Sequence, residues 1–127
     1  MTIKNCTLIE ALTCNEDDLV VEVAKKIREH LLRHIYVVDS ENKPVGVIST
    51  TDINNRIVAE GKDPNNIKAN EIMTSPIETI DEDMDEREAY KVCVKGNIVA
   101  CPVTKEGKIS GIISVNEILR KLTDVQI

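Results

Sequence analysis

The sequence predicts an α+β fold built from two copies of one β-α-β-β-α unit. The first observation is a short repeat: Gly46–Asp52 returns, sixty-five positions later, as Gly111–Glu117. Each copy has a glycine, then β-branched apolar residues, then a serine three positions before an acid. β-branched residues favour strands, and Ser-x-x-Asp or Ser-x-x-Glu is typical of a helix N-terminus. Each copy is therefore predicted to be a strand that leads into a helix.

The second observation is that the repeat continues, without a gap, on both sides of these segments. Two units, predicted as residues 1–62 and 63–127, account for the whole chain. Two repeats are too few for a solenoid, so a pseudo-twofold pair is expected. The identical pairs at this offset include Asp18/Asp83, Ala24/Ala89, Lys26/Lys91, Val38/Val103, Glu41/Glu106 and Lys43/Lys108.

In the first unit, an irregular lead-in precedes a helix that is predicted to end near Arg33. Its apolar side chains recur at helical spacing: Val20, Val23, Ala24, Ile27 and Leu31. The apolar run Ile35–Val38 predicts a buried strand, and Pro44–Ser49 predicts the next one. The helix after Asp52 is expected to end at Gly61 and to bury Ile53, Ile57 and Val58.

The second unit repeats this order after a linker over residues 62–70. Acids at 81–83 precede a helix that Gly96 ends. The strands are predicted at Ala100–Val103 and Lys108–Ser114, and a last helix at 116–123. Both units thus have the order strand, helix, strand, strand, helix.

Composition excludes several classes of function. The net charge of −6 argues against a nucleic-acid surface, which needs clustered lysine and arginine. No apolar run approaches the roughly 20 residues of a membrane-spanning helix, and the N-terminus does not resemble a signal peptide. A cytoplasmic protein is expected. With no Trp and no Phe, its core must consist of Ile, Val, Leu and Ala.

The cysteines and histidines give weak metal signals. Cys6, Cys14, Cys93 and Cys101 form no CxxC pair, so they are predicted to be reduced thiols that fill the core. His30 and His34 are spaced for one helix face, but no third ligand is evident. No metal or resident cofactor is expected.

The residues described so far match a known family. The chain resembles a pair of cystathionine-β-synthase-type (CBS) domains, also called a Bateman module. The resemblance rests on Ile72–Thr74, on Pro102–Val103, on Ile35–Asp39 and on the two glycine-to-acid stretches, and it covers about residues 3–122. It implies two units packed sheet to sheet with pseudo-twofold symmetry, and two clefts for adenosine-containing ligands such as AMP, ADP, ATP or S-adenosylmethionine.

The resemblance also implies a role for each residue of the first site. Asp52 would bind the ribose hydroxyls, and the hydroxyl residues before it would approach the phosphates together with Arg33 and His34. The adenine wall would come from the segment that opens the other unit, with two residues of a later strand. The predicted residues of the first site are Ser49, Thr50, Thr51, Asp52, Met73, Thr74, Ser75, Pro76, Ile77, Glu78, Ile98, Val99, Arg33 and His34.

The second site is expected to be weaker. By position it would use Ser114, Asn116 and Glu117, with a wall from Thr7, Leu8, Ile9 and Leu12. Glu117 is one methylene longer than aspartate, Val115 replaces the hydroxyl of Thr50, and Ile98 and Val99 replace the basic pair. Binding about tenfold weaker than at the first site is predicted, since charge-assisted contacts are lost.

Simpler interpretations exist for each of these features. The Ser-x-x-acid segments are also capping boxes, the interpretation favoured for Glu117, and basic residues also stabilise a helix C-terminus. No catalytic motif is found, so an enzyme is not expected. The predicted function is regulatory: an adenosyl ligand is sensed, and the signal passes to a partner protein. The alternative is a ligand-free dimerisation module, and a homodimer is expected in either case.

Overall fold

The chain divides into two compact units in the computed structural model, which describes residues 1–123. The central unit consists of Leu12–Ile77, and the terminal unit combines Met1–Ala11 with the residues from Glu78 onward. The ranges 1–62 and 63–127 describe the repeat in the sequence. The compact units differ from these ranges at two places. Met1–Ala11 fold with the second half of the chain, and residues 63–77 fold with the first half.

The central unit has a three-stranded sheet with the order β1-β2-β3. Strand β1 runs parallel to β2, and β2 runs antiparallel to β3. A π-helical turn, Asn54–Val58, follows the second helix. The elements are β1 (Thr13–Asn15), α1 (Val20–His30), β2 (His34–Val38), β3 (Pro44–Ser49), α2 (Thr50–Ile53) and α3 (Ala69–Ile72).

The terminal unit repeats this architecture, with the sheet order β4-β5-β6 and the same parallel and antiparallel pairs. A 3-10 turn over Ile3–Asn5 precedes it. Its elements are β4 (Ile80–Asp81), α4 (Glu86–Lys95), β5 (Ala100–Lys105), β6 (Lys108–Ser114) and α5 (Val115–Leu122). The predicted α+β class and the repeated β-α-β-β-α order are confirmed.

Each unit has its own aliphatic core. The central core contains Val20, Val23, Ile35, Val37, Ile48 and Cys14. The terminal core contains Ile3, Ile80, Ala89, Val103, Ile113, Ile118, Cys93 and Cys101. Burial in these cores raises the pKa of the Cys14 and Cys101 thiols to about 12. Three of the four free thiols are therefore core residues, as predicted, while Cys6 is half-buried.

The end of α1 differs from its prediction. The helix ends at His30, and Leu31 closes it in the left-handed conformation with φ of 54°. His34 consequently belongs to strand β2, and it does not share a helix face with His30. Among residues 1–123, no cluster of three metal-ligating side chains is present.

Val58 was predicted to be buried, and this is wrong, since 66% of it is exposed. The cause is the π-helical turn, in which the N–H of Ala59 donates to the carbonyl of Asn54 at 2.8 Å. This wider turn changes the helical register after Ile57, which is buried. Within residues 1–123, none of the helices has the length and apolar character needed to cross a membrane.

Candidate functional site

In the central unit, the predicted site centres on the junction between β3 and α2. Ser49 caps the helix: its Oγ accepts from the N–H of Asp52 at 3.1 Å. Asp52 Oδ2 in turn accepts from the N–H of Ser49 at 2.9 Å. This completes a capping box and uses one carboxylate oxygen. The other oxygen, Oδ1, accepts no hydrogen bond from residues 1–123, and Arg56 Nη2 lies 3.9 Å from it.

Arg56 connects this junction to the predicted adenine wall. Its Nη1 donates to the carbonyls of Ile72, at 2.5 Å, and Met73, at 3.2 Å. Carbonyl oxygens thus bind one end of the guanidinium, and its other end faces Asp52. The arginine fixes the start of the wall segment relative to the carboxylate.

The wall segment pairs with the edge of β3. Thr74 exchanges backbone hydrogen bonds of 2.8 and 3.1 Å with Val47, and Ser75 Oγ donates to the carbonyl of Val45 at 2.8 Å. Gly46 permits this approach, because a Cβ at that position would lie 3.0 Å from the Thr74 carbonyl oxygen and 2.5 Å from Met73 Sδ. The glycine of the repeat is explained by this close approach.

The basic pair of the first site lies beside the same junction. His34 faces Ser49 in the β2–β3 register, and the N–H of Thr50 donates to the carbonyl of Arg33 at 3.0 Å. The central unit therefore brings together the basic pair, the hydroxyl and acid residues, and the wall segment up to Ile77. Three predicted wall residues, Glu78, Ile98 and Val99, belong to the terminal unit.

A cavity of about 520 Å³ opens beside Arg33 and Thr50. Most of its lining is apolar, and two arginines provide its positive charge. Of the residues that line it, the sequence predicted only Arg33 and Thr50 as site residues. Arg28 is the charged residue that it missed, because a basic residue in the last turn of a helix is sufficiently explained by the helix dipole. The lining residues are Ala24, Ile27, Arg28, Leu31, Leu32, Arg33, Thr50 and Ile53.

The corresponding junction of the terminal unit has a different hydrogen-bond pattern. Ser114 Oγ accepts from the N–H of Glu117 at 3.1 Å, as in the other copy. Glu117 does not return the bond. Its Oε2 accepts from the N–H of Thr7 at 2.6 Å and from Arg120 Nη2 at 3.1 Å, and its Oε1 accepts from Arg120 Nε at 2.9 Å. The extra methylene thus carries the carboxylate away from the cap.

These bonds stabilise the charged form of Glu117. The hydrogen bonds from Arg120, and then the bond from the Thr7 N–H, hold the pKa of this carboxyl below its ordinary value of 4.5. Both oxygens are occupied by protein donors. A capping box was the favoured interpretation of Ser114 and Glu117. Its first half is present, because the N–H of Glu117 donates to Ser114, but its second half is wrong, because the Glu117 carboxylate does not bind the N–H of Ser114.

The wall of the second site resembles that of the first. Ile9 and Ile112 exchange backbone hydrogen bonds of 2.8 Å each. A Cβ on Gly111 would lie 3.0 Å from Leu8 Cβ and 3.1 Å from the Ile9 carbonyl oxygen. Of the predicted wall residues, Thr7, Leu8 and Ile9 lie beside this junction, whereas Leu12 belongs to the central unit.

Comparison with known proteins agrees with this architecture. A family model described as the CBS domain matches residues 6–59 and 69–124. The chain belongs to the CBS-domain family. An uncharacterized protein of Methanopyrus kandleri is 33% identical over 112 residues, which are 87% of this chain and 57% of the relative. The chain thus spans little more than half the length of that relative.

Solved structures show the same CBS fold. A conserved CBS-domain protein of unknown function from Thermoplasma acidophilum has a TM-score of 0.72 at 22% identity, covering 97% of this chain and 70% of that one. The hexameric CBS-CP12 protein from bloom-forming cyanobacteria has a TM-score of 0.70 at 26% identity, covering 97% of this chain and 72% of that one.

Proposed function

We propose that this CBS-domain chain is a non-catalytic regulatory module that binds an adenosine-containing ligand at the Ser49–Asp52 junction and signals to a partner protein. The ligand class is AMP, ADP, ATP or S-adenosylmethionine. The observation that carries the proposal is the state of Asp52. One of its oxygens is held by the capping box, and the other accepts no hydrogen bond from residues 1–123. The carboxylate is therefore both oriented and available.

A ribose diol suits such a carboxylate. Hydroxyl groups donate to a charged acceptor more strongly than to a neutral one, and the capping box already fixes the rotamer of Asp52. The exposed Arg33 and Thr50 line the neighbouring cavity and would contact a phosphate. The segment from Met73 to Ser75, held against β3, would contact the adenine.

Calorimetric titration with the four ligands tests this proposal. We expect at least one of them to bind. The 2′-deoxy analogue of that ligand should bind about tenfold more weakly, because Asp52 then loses one hydroxyl partner. If none of the four binds at millimolar concentration, the proposal is wrong. Equal affinity for the ribose and deoxyribose forms would mean that an adenosine-containing ligand binds without the proposed contact between Asp52 and the ribose.

We also propose that the chain forms a homodimer. Several large apolar side chains are exposed on the described chain: Leu31 by 89%, Val99 by 76% and Val58 by 66%. Leu31 is adjacent to Leu32, which is 47% exposed, and contiguous exposed apolar surface is typical of a surface that binds another protein. The hexameric CBS-CP12 protein gives an example of assembly in a related structure.

Light scattering on wild-type protein and on Leu31→Asp tests the homodimer. Aspartate tolerates the left-handed conformation at position 31 better than leucine does, so the variant should fold normally. We expect the wild type to be dimeric and the variant to dissociate more readily. A monomeric wild type at tens of micromolar would contradict the proposal. A dimer that binds none of the adenosyl ligands would instead support the alternative of a purely structural dimerisation module.

A further inference from the structure

A second cavity lies in the terminal unit. Its lining includes a buried carboxylate, Glu86, that the central unit does not have at the equivalent position. The cavity has a volume of about 250 Å³ and is lined by Met1, Asp85, Glu86, Arg87, Lys121 and Leu122. Glu86 is only 4% exposed, and its Oε1 is buried without a hydrogen-bond partner among residues 1–123. A buried carboxylate oxygen is costly unless a donor binds it. The cavity is therefore suited to a ligand that supplies donors.

The neighbouring acid does not share this property. Asp85 caps helix α4, and its Oδ1 accepts from the N–H of Arg87 at 2.8 Å. Its other oxygen, Oδ2, lies 3.7 Å from the backbone nitrogen of Met1. Asp85 thus has a structural role at the helix N-terminus, whereas Glu86 has an unused acceptor inside the protein.

Two basic side chains also line this cavity, beside the terminal ammonium of Met1 that pairs with Asp85. Lys121 is half-buried and forms no ion pair with any residue from Met1 to Thr123, and Arg87 is exposed beside it. The repeat shows that the buried acid is not required by the fold. At the equivalent positions of the central unit, Glu86 is replaced by Val21, and Lys121 by Arg56, whose guanidinium binds the backbone carbonyls of the wall segment.

We propose that this cavity binds a small zwitterion that carries an ammonium and a carboxylate group, the chemical class of the free α-amino acids. The ammonium would donate to Glu86, and the carboxylate would accept from Lys121 and Arg87. A water molecule occupies about 30 Å³ of liquid, so the cavity has room for several non-hydrogen atoms. Met1 and Leu122 would contact a short aliphatic side chain.

L-Alanine and its two half-molecules form a direct test. Ethylammonium lacks the carboxylate of L-alanine, and propionate lacks its ammonium. Each is titrated into the full chain while backbone amide shifts are followed by NMR. We expect L-alanine to give saturable shifts at Glu86, Arg87 and Leu122. Each half-molecule should bind about tenfold more weakly or worse, because one charged contact is missing.

Two variants and a matched control locate the binding. Glu86→Gln keeps the size of the side chain but removes its charge, and Lys121→Met removes the cation with little change of length. Both should weaken L-alanine binding about tenfold. Glu86→Gln should also raise the melting temperature of the unliganded protein, since it removes a buried charge. Glu88→Gln, an exposed change on the same helix, should alter neither property.

Three results would overturn the proposal. Ethylammonium binding as tightly as L-alanine would indicate a simple cation site. The absence of saturable shifts at high millimolar concentration would show that the cavity binds no zwitterion. The third result is that Lys121→Met destabilises the unliganded protein and Glu86→Gln does not stabilise it. Lys121 and Glu86 would then form an ion pair in solution, and neither would be available to a zwitterion.

Discussion

Asp52 and Glu117 occupy equivalent positions in the two units, but their carboxylates bind different partners. The aspartate bonds its own helix cap and leaves one oxygen without a hydrogen bond from the described residues. The longer glutamate reaches the Thr7 N–H and Arg120, and both its oxygens are used. The two side chains differ by one methylene group. The shorter one leaves a carboxylate oxygen without a hydrogen bond from the described residues, whereas both oxygens of the longer one bind protein groups.

The residues that surround the two acids also differ between the units. Beside Asp52 lie Arg33 and His34, and Ile98 and Val99 occupy the corresponding positions of the other unit. Arg56 binds the wall segment in the central unit, whereas its counterpart Lys121 lines a separate cavity. The two copies of the fold therefore differ at this junction. In the central unit one carboxylate oxygen accepts no hydrogen bond from residues 1–123, and in the terminal unit both oxygens accept hydrogen bonds from protein groups.

The largest expected effect comes from Asp52→Asn. Asparagine keeps the side-chain size and an acceptor for the Ser49 N–H, but it removes the charge. Ligand at a hundred times its dissociation constant should stabilise the wild type by about 2.7 kcal/mol, and the variant should lose most of this gain. Melting curves with and without ligand measure it.

Glu117→Gln is the matched control for that change. It should keep the ligand-dependent stabilisation nearly intact, because the carboxylate oxygens of Glu117 already accept hydrogen bonds from Thr7 and Arg120. If Glu117→Gln loses the stabilisation and Asp52→Asn retains it, the ligand has been assigned to the wrong junction.

The next largest effect is expected from the two glycines. Gly46→Ala would place a Cβ 2.5 Å from Met73 Sδ, and Gly111→Ala would place one 3.0 Å from Leu8 Cβ. Each should cost roughly 2 kcal/mol through the shift needed to relieve the clash. Only Gly46→Ala should also weaken ligand binding. Urea unfolding and calorimetry measure the two effects. An unchanged dissociation constant in Gly46→Ala would show that the wall does not contact the ligand.

Glu117→Ala should have a smaller effect on the unliganded protein. It removes three hydrogen bonds, but Thr7 and Arg120 are exposed, so water replaces the lost partner. We expect a loss of about 1 kcal/mol in urea unfolding, together with faster hydrogen exchange at the Thr7 amide. Glu88→Ala, which removes an exposed ion pair with Lys91, serves as the control. Unchanged exchange at Thr7 would mean that this bond is absent in solution.

The smallest effect concerns pH. Because the folded-state pKa of Glu117 is below its ordinary value of 4.5, the unfolded chain binds a proton more readily than the folded one. This contribution to stability is present above pH 4.5 and is lost as the pH falls through the folded-state pKa. The stability difference between wild type and Glu117→Gln should therefore shrink from neutral pH to about pH 3. A constant difference would contradict the assignment.

Much of this architecture could be predicted from local signals. The glycine, the β-branched pair and the Ser-x-x-acid segment fix a strand that leads into a capped helix, and their repetition gave both the α+β class and the positions of the two junctions. The pairing of Ile35–Val38 with Pro44–Ser49 also follows, because a short polar turn joins two apolar runs.

The remaining features depend on contacts between residues that are distant in sequence. Thr7 and Glu117 are 110 residues apart, and no pattern near either residue indicates their bond. Nearby sequence likewise does not indicate the π-helical turn that exposes Val58, the left-handed Leu31 that ends α1, or the burial of Glu86. Local propensity would have favoured an ordinary helix, a glycine at the helix end and an exposed carboxylate.

The folding of Met1–Ala11 with the second half of the chain has a consequence for the order in which the protein is made. A ribosome synthesises this segment before its hydrogen-bond partners: Glu82 and Met84 follow the central unit, and Ile112 and Glu117 come later still. The central unit, which is continuous in the chain, has all its residues available before translation ends. The Met1–Ala11 segment has none of these partners until the central unit has been synthesised. A nascent chain stalled before Gly111 would hold the completed central unit, while Leu8 and Ile9 would still lack the strand that they contact.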